Sequence, residues 1–521
     1  MSSSDVARTI NALDIAVILA YLVGITILGI WVGRRQKDSK DYFVADREIP
    51  WWAVMFSVVA SETSALTFIS VPGTAYLTDL GFLQLAFGYL LGRIVVARVL
   101  LPRYYEGEIV TAYTLLEKRF GLATRRFTSI VFMVTRALAD AVRVFATAIP
   151  IALILGPIMP ADYVMPVAVS VLGVLTIIYT YRGGMRAVVW TEIIQASIYI
   201  FGGLSAMYMV GRLVPGGWGQ IFAQAGAENK LDLIKFGLGT NKAPYAIWPG
   251  VVGGAFLSMA SHGADQLIVQ RLLSSKSLRD AQIAIIGSGV AVIVQFALFL
   301  LLGLGLWTFY QGRTFPTPDA VFPSFIVGHM PHGLLGLLLA AVVAATMSTH
   351  SGAINSLAAA STHDIYLPLS GRRADDPSTL KVGKLFALGW GVVLTAGALL
   401  FPKDNKTPVV QVALSIASFT QGALLGAFFL GNFWRRANQR DAIVGMSVAI
   451  VIMAFIVFAN QLIAAYPSLR GPLGGVAQIA FPWYVLIGTT ITMLVAMLMS
   501  LTHAPPPVQT LDVPAPARDA A

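Results

Sequence analysis

Thirteen predominantly apolar runs of about 20 residues or more recur along the chain, near 14–34, 51–76, 81–102, 125–155, 158–181, 186–211, 247–265, 282–309, 332–360, 380–401, 408–433, 441–463 and 476–501. Each is long enough to cross the hydrocarbon core of a bilayer as a helix. In lipid every backbone N–H and C=O must be satisfied internally, which leaves helices or closed barrels. Barrel strands alternate polarity in short segments, and these runs do not. The sequence therefore predicts an all-α, multi-pass membrane protein of about thirteen helices. Composition agrees: 56% of residues are hydrophobic and 12% charged, against roughly a quarter charged in soluble domains.

Basic residues give the expected orientation. Of 36 Lys and Arg, 22 fall in alternate loops at 34–49, 103–126, 182–186, 271–279, 372–384 and 435–440. The positive-inside rule makes that set cytoplasmic, with the N-terminus outside and the C-terminus inside. The net charge of +10 then reflects topology and gives no warrant for a nucleic-acid partner; the bilayer is the expected large partner. The first run has no positively charged lead and no small-residue cleavage pattern behind it, so a retained helix is expected there. Cysteine is absent, which excludes disulfides, thiolate metal sites and cysteine nucleophiles. Residues 1–502 read as one transmembrane domain. The proline-rich stretch 503–521 reads as a disordered cytoplasmic tail.

Several runs are interrupted by polar residues. The second carries Ser57, Ser61, Glu62, Thr63, Ser64 and Thr67 ahead of Pro72-Gly73; the seventh carries Ser261, His262, Asp265 and Gln266. Broken helices at membrane depth are tolerated where the freed backbone is buried in protein or lines a wet cavity. Interruptions opening each of two halves point to an inverted-repeat transporter with its site near the midplane. The ninth run contains Thr346, Ser348, Thr349, His350 and Ser351, hydroxyls suited to a small hard cation.

Four motifs carry a resemblance: Ala60-Ser-Glu-Thr-Ser-Ala65, Tyr181 to Gln195 with Trp190-Thr191-Glu192, Asp265 to Arg271, and Ala344 to Ser356. In order and spacing, from about Asp14 to Leu501, the chain resembles the sodium/solute symporter family. The resemblance implies an inverted five-plus-five helix core of the LeuT type, with repeats over about 50–212 and 246–434, one helix before it (14–34) and two after it (441–463 and 476–501). It also implies sodium as the coupling ion, no organic cofactor, no enzymatic activity, alternating access, a bacterial inner-membrane location and function as a monomer.

Carried over by position, the resemblance places a sodium site at the carbonyls of Ala60, Thr63 and Ala345 and the hydroxyls of Ser348 and Thr349. The bland alternative is that these hydroxyls bond back to carbonyls one turn earlier. A second sodium site, present in some members, would use Glu192, Ser348 and Ser351, with Gly352 standing where the last hydroxyl is expected. There the bland alternative is an ion pair of Glu192 with Arg182 or Arg186. One or two sodium ions per cycle remain open.

For substrate, the resemblance points to Ser64, Thr67 and Phe82. The fourth run adds Arg136, Asp140 and Arg143 on one helical face, and Glu62 and His262 at the interruptions complete the candidate set. Two positive charges against one negative leave a surplus, and intramembrane charges face a cavity or a partner. That surplus favours an organic anion such as a monocarboxylate. If Glu62 closes the balance, a sugar or polyol follows; amino acids stay open. Ala139 stands where sialic acid symporters carry their carboxylate-binding Arg, so that cargo is not expected. A passive channel or a solute sensor is the rival class. Gly183-Gly184 and Gly253-Gly254 are read as close-approach points, and Trp51, Trp52, Tyr104 and Tyr105 as interfacial anchors.

Overall fold

The computed structural model describes residues 10–505, apart from 35, 37, 64, 107–108, 156–158, 241–243, 316–317 and 401–408, and leaves out the side chains of 65–66, 146–147, 149–154, 161 and 409–417. Ser64 and most of the expected tail lie outside the described residues.

The apolar runs fall largely on helices. In chain order these are α1 (Ala12–Val32), α2 (Trp51–Glu62), α3 (Ala65–Leu77), α4 (Leu83–Val95), α5 (Leu122–Leu155), α6 (Ala161–Leu213), α7 (Gly254–Gly263), α8 (Gln266–Leu273), α9 (Leu278–Phe309), α10 (Leu334–Ala360), α11 (Pro377–Leu399), α12 (Val409–Phe433), α13 (Gln439–Val457) and α14 (Trp483–Ser500). Among the described residues, eight helices are long and apolar enough to cross a membrane, or nine if α2 and α3 form one bent span.

The helix α6 takes up two of the runs. At about 1.5 Å per residue it would far exceed a bilayer if straight. Gly184 breaks it, at φ 55° and ψ −154°, a conformation open to glycine alone. A Cβ there would also lie 2.4 Å from the Tyr42 carbonyl. Between α4 and the segment 249–263, which ends in α7, the backbones touch: a Cβ on Gly88 would lie 2.4 Å from the Gly250 carbonyl, and one on Gly92 2.3 Å from that of Ala255. Small residues permit such approach where lipid supplies no hydrophobic drive between helices.

Helix α10 forms the centre. An 18-residue apolar stretch of Leu334–Ser370 is 89% buried, against 22% for such a stretch of α1. The polar residues of α10, Ser348, Thr349 and Asn355 among them, are buried with the apolar ones. Here α10 packs on α1, α2, α3, α5, α6, α8 and α11. Trp51 and Trp52 are exposed as interfacial anchors would be, but Tyr104 is fully buried and donates to the Gly263 carbonyl. Its hydroxyl fixes the end of α7, which corrects the anchoring role expected for it.

Candidate functional site

Helix α2 ends at Glu62, and Thr63 turns extended at φ −84°, ψ 89°. The axis bends by 62° between Trp51–Glu62 and Thr67–Leu77. The Thr63 amide still donates to the Val59 carbonyl at 2.9 Å, which places Ala60 and Thr63 at the end of α2, where a helix runs out of intrahelical donors for its carbonyls. The Thr63 hydroxyl is held by Gln295 Nε2 at 2.7 Å, and Tyr199 donates to the other end of the same amide. Across from this break runs α10. Ala60, Thr63, Ala345, Ser348 and Thr349 are all buried, and the Thr349 hydroxyl lies 3.2 Å from the Ala345 carbonyl. That is the back-bond of a membrane hydroxyl; it also sets two expected sodium ligands side by side.

Glu192 joins these two halves. Its Oε1 accepts from Ser61 of α2 and from Ser348 of α10, each at 3.2 Å, and its Oε2 accepts from Ser57. The expected ion-pair partners are displaced by another: Arg186 is taken up by Asp41 and Glu48, and Glu192 is gripped by Arg271, Nη2 to Oε1 at 2.6 Å and Nε to Oε2 at 3.2 Å. Both side chains are fully buried. Ser351 turns its hydroxyl back to the Ser348 carbonyl at 3.0 Å. Arg271 therefore does not belong with the loop cations among which its position in sequence placed it.

The charged substrate candidates are paired within the protein. Arg136 of α5 bonds Asp265 at 2.5 Å and lies 3.7 Å from Asp140; Arg143 meets Asp140 at 3.1 Å. Asp265 sits at the α7–α8 break, where its other oxygen caps α8 through the Leu267 amide at 2.9 Å, an N-cap bond. Glu62 pairs with Arg93 of α4, whose Nη1 holds Ser288 at 2.7 Å. His262 Nε2 lies 3.7 Å from Glu62, so the ends of the two broken helices meet. The surplus positive charge inferred from Arg136, Asp140 and Arg143 is thus cancelled by Asp265.

Arg136 and Asp265 line a small cleft of about 20 Å³, room for about one water, together with Phe132, Thr135, Ala139, Thr420, Gln421 and Leu424. Its wall mixes one ion pair, two hydroxyls and an amide with apolar faces. Phe82 packs edge-on against Tyr245 and Phe296, with centroids 5.0 and 5.2 Å away. Thr67 opens α3 just beyond the bend. Neither Phe82 nor Thr67 lines this cleft.

Sequence reasoning missed Arg93, Gln295 and Thr420, and it noted Ser57 and Asp265 at the helix breaks without giving either a partner. For the two charged ones a signal existed, since an ionisable residue in an apolar run calls for a partner.

Comparison with known proteins bears on this geometry. The Sodium:solute symporter family profile matches residues 42–449. The sodium/sialic acid symporter NanT of Aliivibrio fischeri is 28% identical over 470 residues, covering 88% of this chain and 90% of its own. The sodium/glucose cotransporter of Vibrio parahaemolyticus is 26% identical over 487 residues, covering 87% of each. Among solved structures, a substrate-bound, outward-open Na+-coupled sialic acid symporter superposes with a TM-score of 0.80 at 28% identity, over 95% of this chain and 99% of that one. The expected LeuT-like helical fold and transporter class hold, and the chain is a member of the sodium:solute symporter family, a multi-pass membrane protein that couples solute movement to sodium.

Proposed function

We propose that this symporter carries an uncharged, polyhydroxylated solute such as a sugar or polyol into the cell, with sodium bound between the α2 break and α10. The observation that carries the cargo reading is charge balance: Glu62 with Arg93, Asp265 with Arg136, and Asp140 with Arg143. A neutral solute meets these groups without leaving a charge unpaired, whereas an anion must displace a carboxylate. Hydroxyls bridge a guanidinium and a carboxylate well, donating to one and accepting from the other. An organic anion, such as a monocarboxylate, is the second reading. It is favoured by the Arg136 guanidinium in the cleft wall and by the sialic acid named for one relative.

Sodium at Ala60, Thr63, Ala345, Ser348 and Thr349 would fix the frayed end of α2 against α10 and so preorganise the neighbouring solute site. Each ligand then raises the affinity of the other, as linkage requires. One charge crossing about 100 mV supplies about 2.3 kcal/mol, and a tenfold sodium gradient adds about 1.4 kcal/mol. Tight coupling of one sodium therefore supports accumulation of roughly several hundredfold. Positive-inside counting supports an external N-terminus with thirteen spans. The bacterial relatives support the inner membrane.

The test is counterflow in proteoliposomes over sugars, polyols, monocarboxylates and amino acids, with and without sodium. The reading predicts sodium-dependent exchange of a neutral polyol; exchange confined to carboxylates would replace it with the second reading.

A further inference from the structure

Glu192 lies in a nest of hard oxygen ligands. Its carboxylate and the hydroxyls of Ser57, Ser61 and Ser348 converge from three helices, α6, α2 and α10. A buried carboxylate with three hydroxyls is the donor set of a small-cation site, because each hydroxyl can turn a lone pair inward. In this chain a guanidinium fills it. Arg271 forks onto both carboxylate oxygens, touches Ser57 through Nε at 3.1 Å and ties Nη1 to the Leu267 carbonyl of its own helix.

The space for that fork is made by Gly352. A Cβ at this position would lie 2.3 Å from Arg271 Nη2, so any other residue would have to push the guanidinium aside. Ser351, one position earlier, keeps its hydroxyl on its own helix backbone. With Glu192 already neutralised, a free cation added to the nest would be a buried, unbalanced charge.

We propose that Arg271 is a tethered counter-cation that occupies the Glu192 nest in place of a metal ion and so holds the transporter to one sodium per cycle. The inference rests on sodium binding at the α2 break beside Ser348 and Thr349. A charge fixed to the protein completes the site without being drawn from either bath. Removing the guanidinium should therefore leave a vacant carboxylate and three hydroxyls for a second sodium.

Sodium binding to the purified full chain in detergent, counted with radioactive sodium, tests this. Wild type should saturate at one sodium per chain with a Hill coefficient near one. Arg271→Ala should bind two, and Arg271→Ala combined with Glu192→Gln should return to one. Where the alanine variant does not fold, Arg271→Gln keeps a donor for Glu192 and should likewise bind two. Two sodium ions on wild type, or one on a folded Arg271→Ala or Arg271→Gln protein, would overturn the proposal. Failure of the first sodium site reads differently: wild-type binding would then be absent or unchanged by Thr349→Ala.

Discussion

Two buried arginine–carboxylate pairs in this molecule have opposite characters. In Glu192 and Arg271 both side chains are fully buried, and serines close the remaining acceptor positions. In Arg136 and Asp265 the side chains keep 10% and 7% exposure and line a cleft, while neighbouring Asp140 leaves Oδ2 without a hydrogen-bond partner among the described residues. The sealed pair ties α2, α6, α8 and α10 together. The open pair has a second carboxylate, Asp140, 3.7 Å from Arg136. Charge inside a membrane protein can thus serve as scaffold or as recognition, and solvent access separates the two.

The most damaging change should be Glu192→Gln, which leaves Arg271 charged, dry and unmatched. Breaking one partner of a buried pair costs about 3–5 kcal/mol, so thermal unfolding in detergent should show a large loss. Replacing both partners by methionine should recover most of it. Equal losses in the single and double variants would show that the pair is not the source of the cost.

A smaller effect on stability, but a large one on transport, is expected at the cleft. Arg136→Gln should lower sodium-driven uptake at least about tenfold while costing about 1–2 kcal/mol of stability, because water reaches the vacated site. Asp265→Asn keeps the N-cap oxygen for Leu267 and frees Arg136. Uptake of a small carboxylate should then rise relative to a neutral polyol. An unchanged preference would place cargo recognition elsewhere.

At the surface the contribution should be smallest. His503 bonds the Ala504 carbonyl at 2.8 Å and Asp441 at 2.9 Å, and these contacts hold its imidazole above the ordinary histidine value. A raised folded-state value means the tether is fully present below the unfolded value and fades as pH rises through the folded one. Hydrogen exchange around Thr502 and His503, corrected for base catalysis of the free amide, should accelerate over that window, and this excess should vanish in His503→Ala.

Much of the fold was legible because a bilayer imposes long apolar runs, and these fell largely on helices. The loop expected at 182–186 is instead a single break at Gly184, where one glycine at positive φ interrupts a 53-residue helix. The α2 break was legible from Glu62 and its hydroxyl neighbours, and so was the resemblance to sodium symporters. Pairing was not. Asp265 reaches Arg136 across 129 positions and Arg271 reaches Glu192 across 79, separations that no local spacing rule covers. Arg271 also follows an apolar segment closely enough to read as a loop cation, and only burial shows its role. Counting Arg136, Asp140 and Arg143 on one helix face produced a surplus charge because the balancing carboxylate lies on another helix.

In the proposed mechanism, sodium bound between the α2 break and α10 drives transport, with Thr349 as one of its ligands. The direct measurement is sodium dependence of uptake in proteoliposomes, wild type against Thr349→Ala, using the best solute from the counterflow screen. The variant, still folded, should need at least about tenfold more sodium for half-maximal uptake, the loss of roughly 1.4 kcal/mol of ion binding. Sodium activation identical to wild type would contradict it.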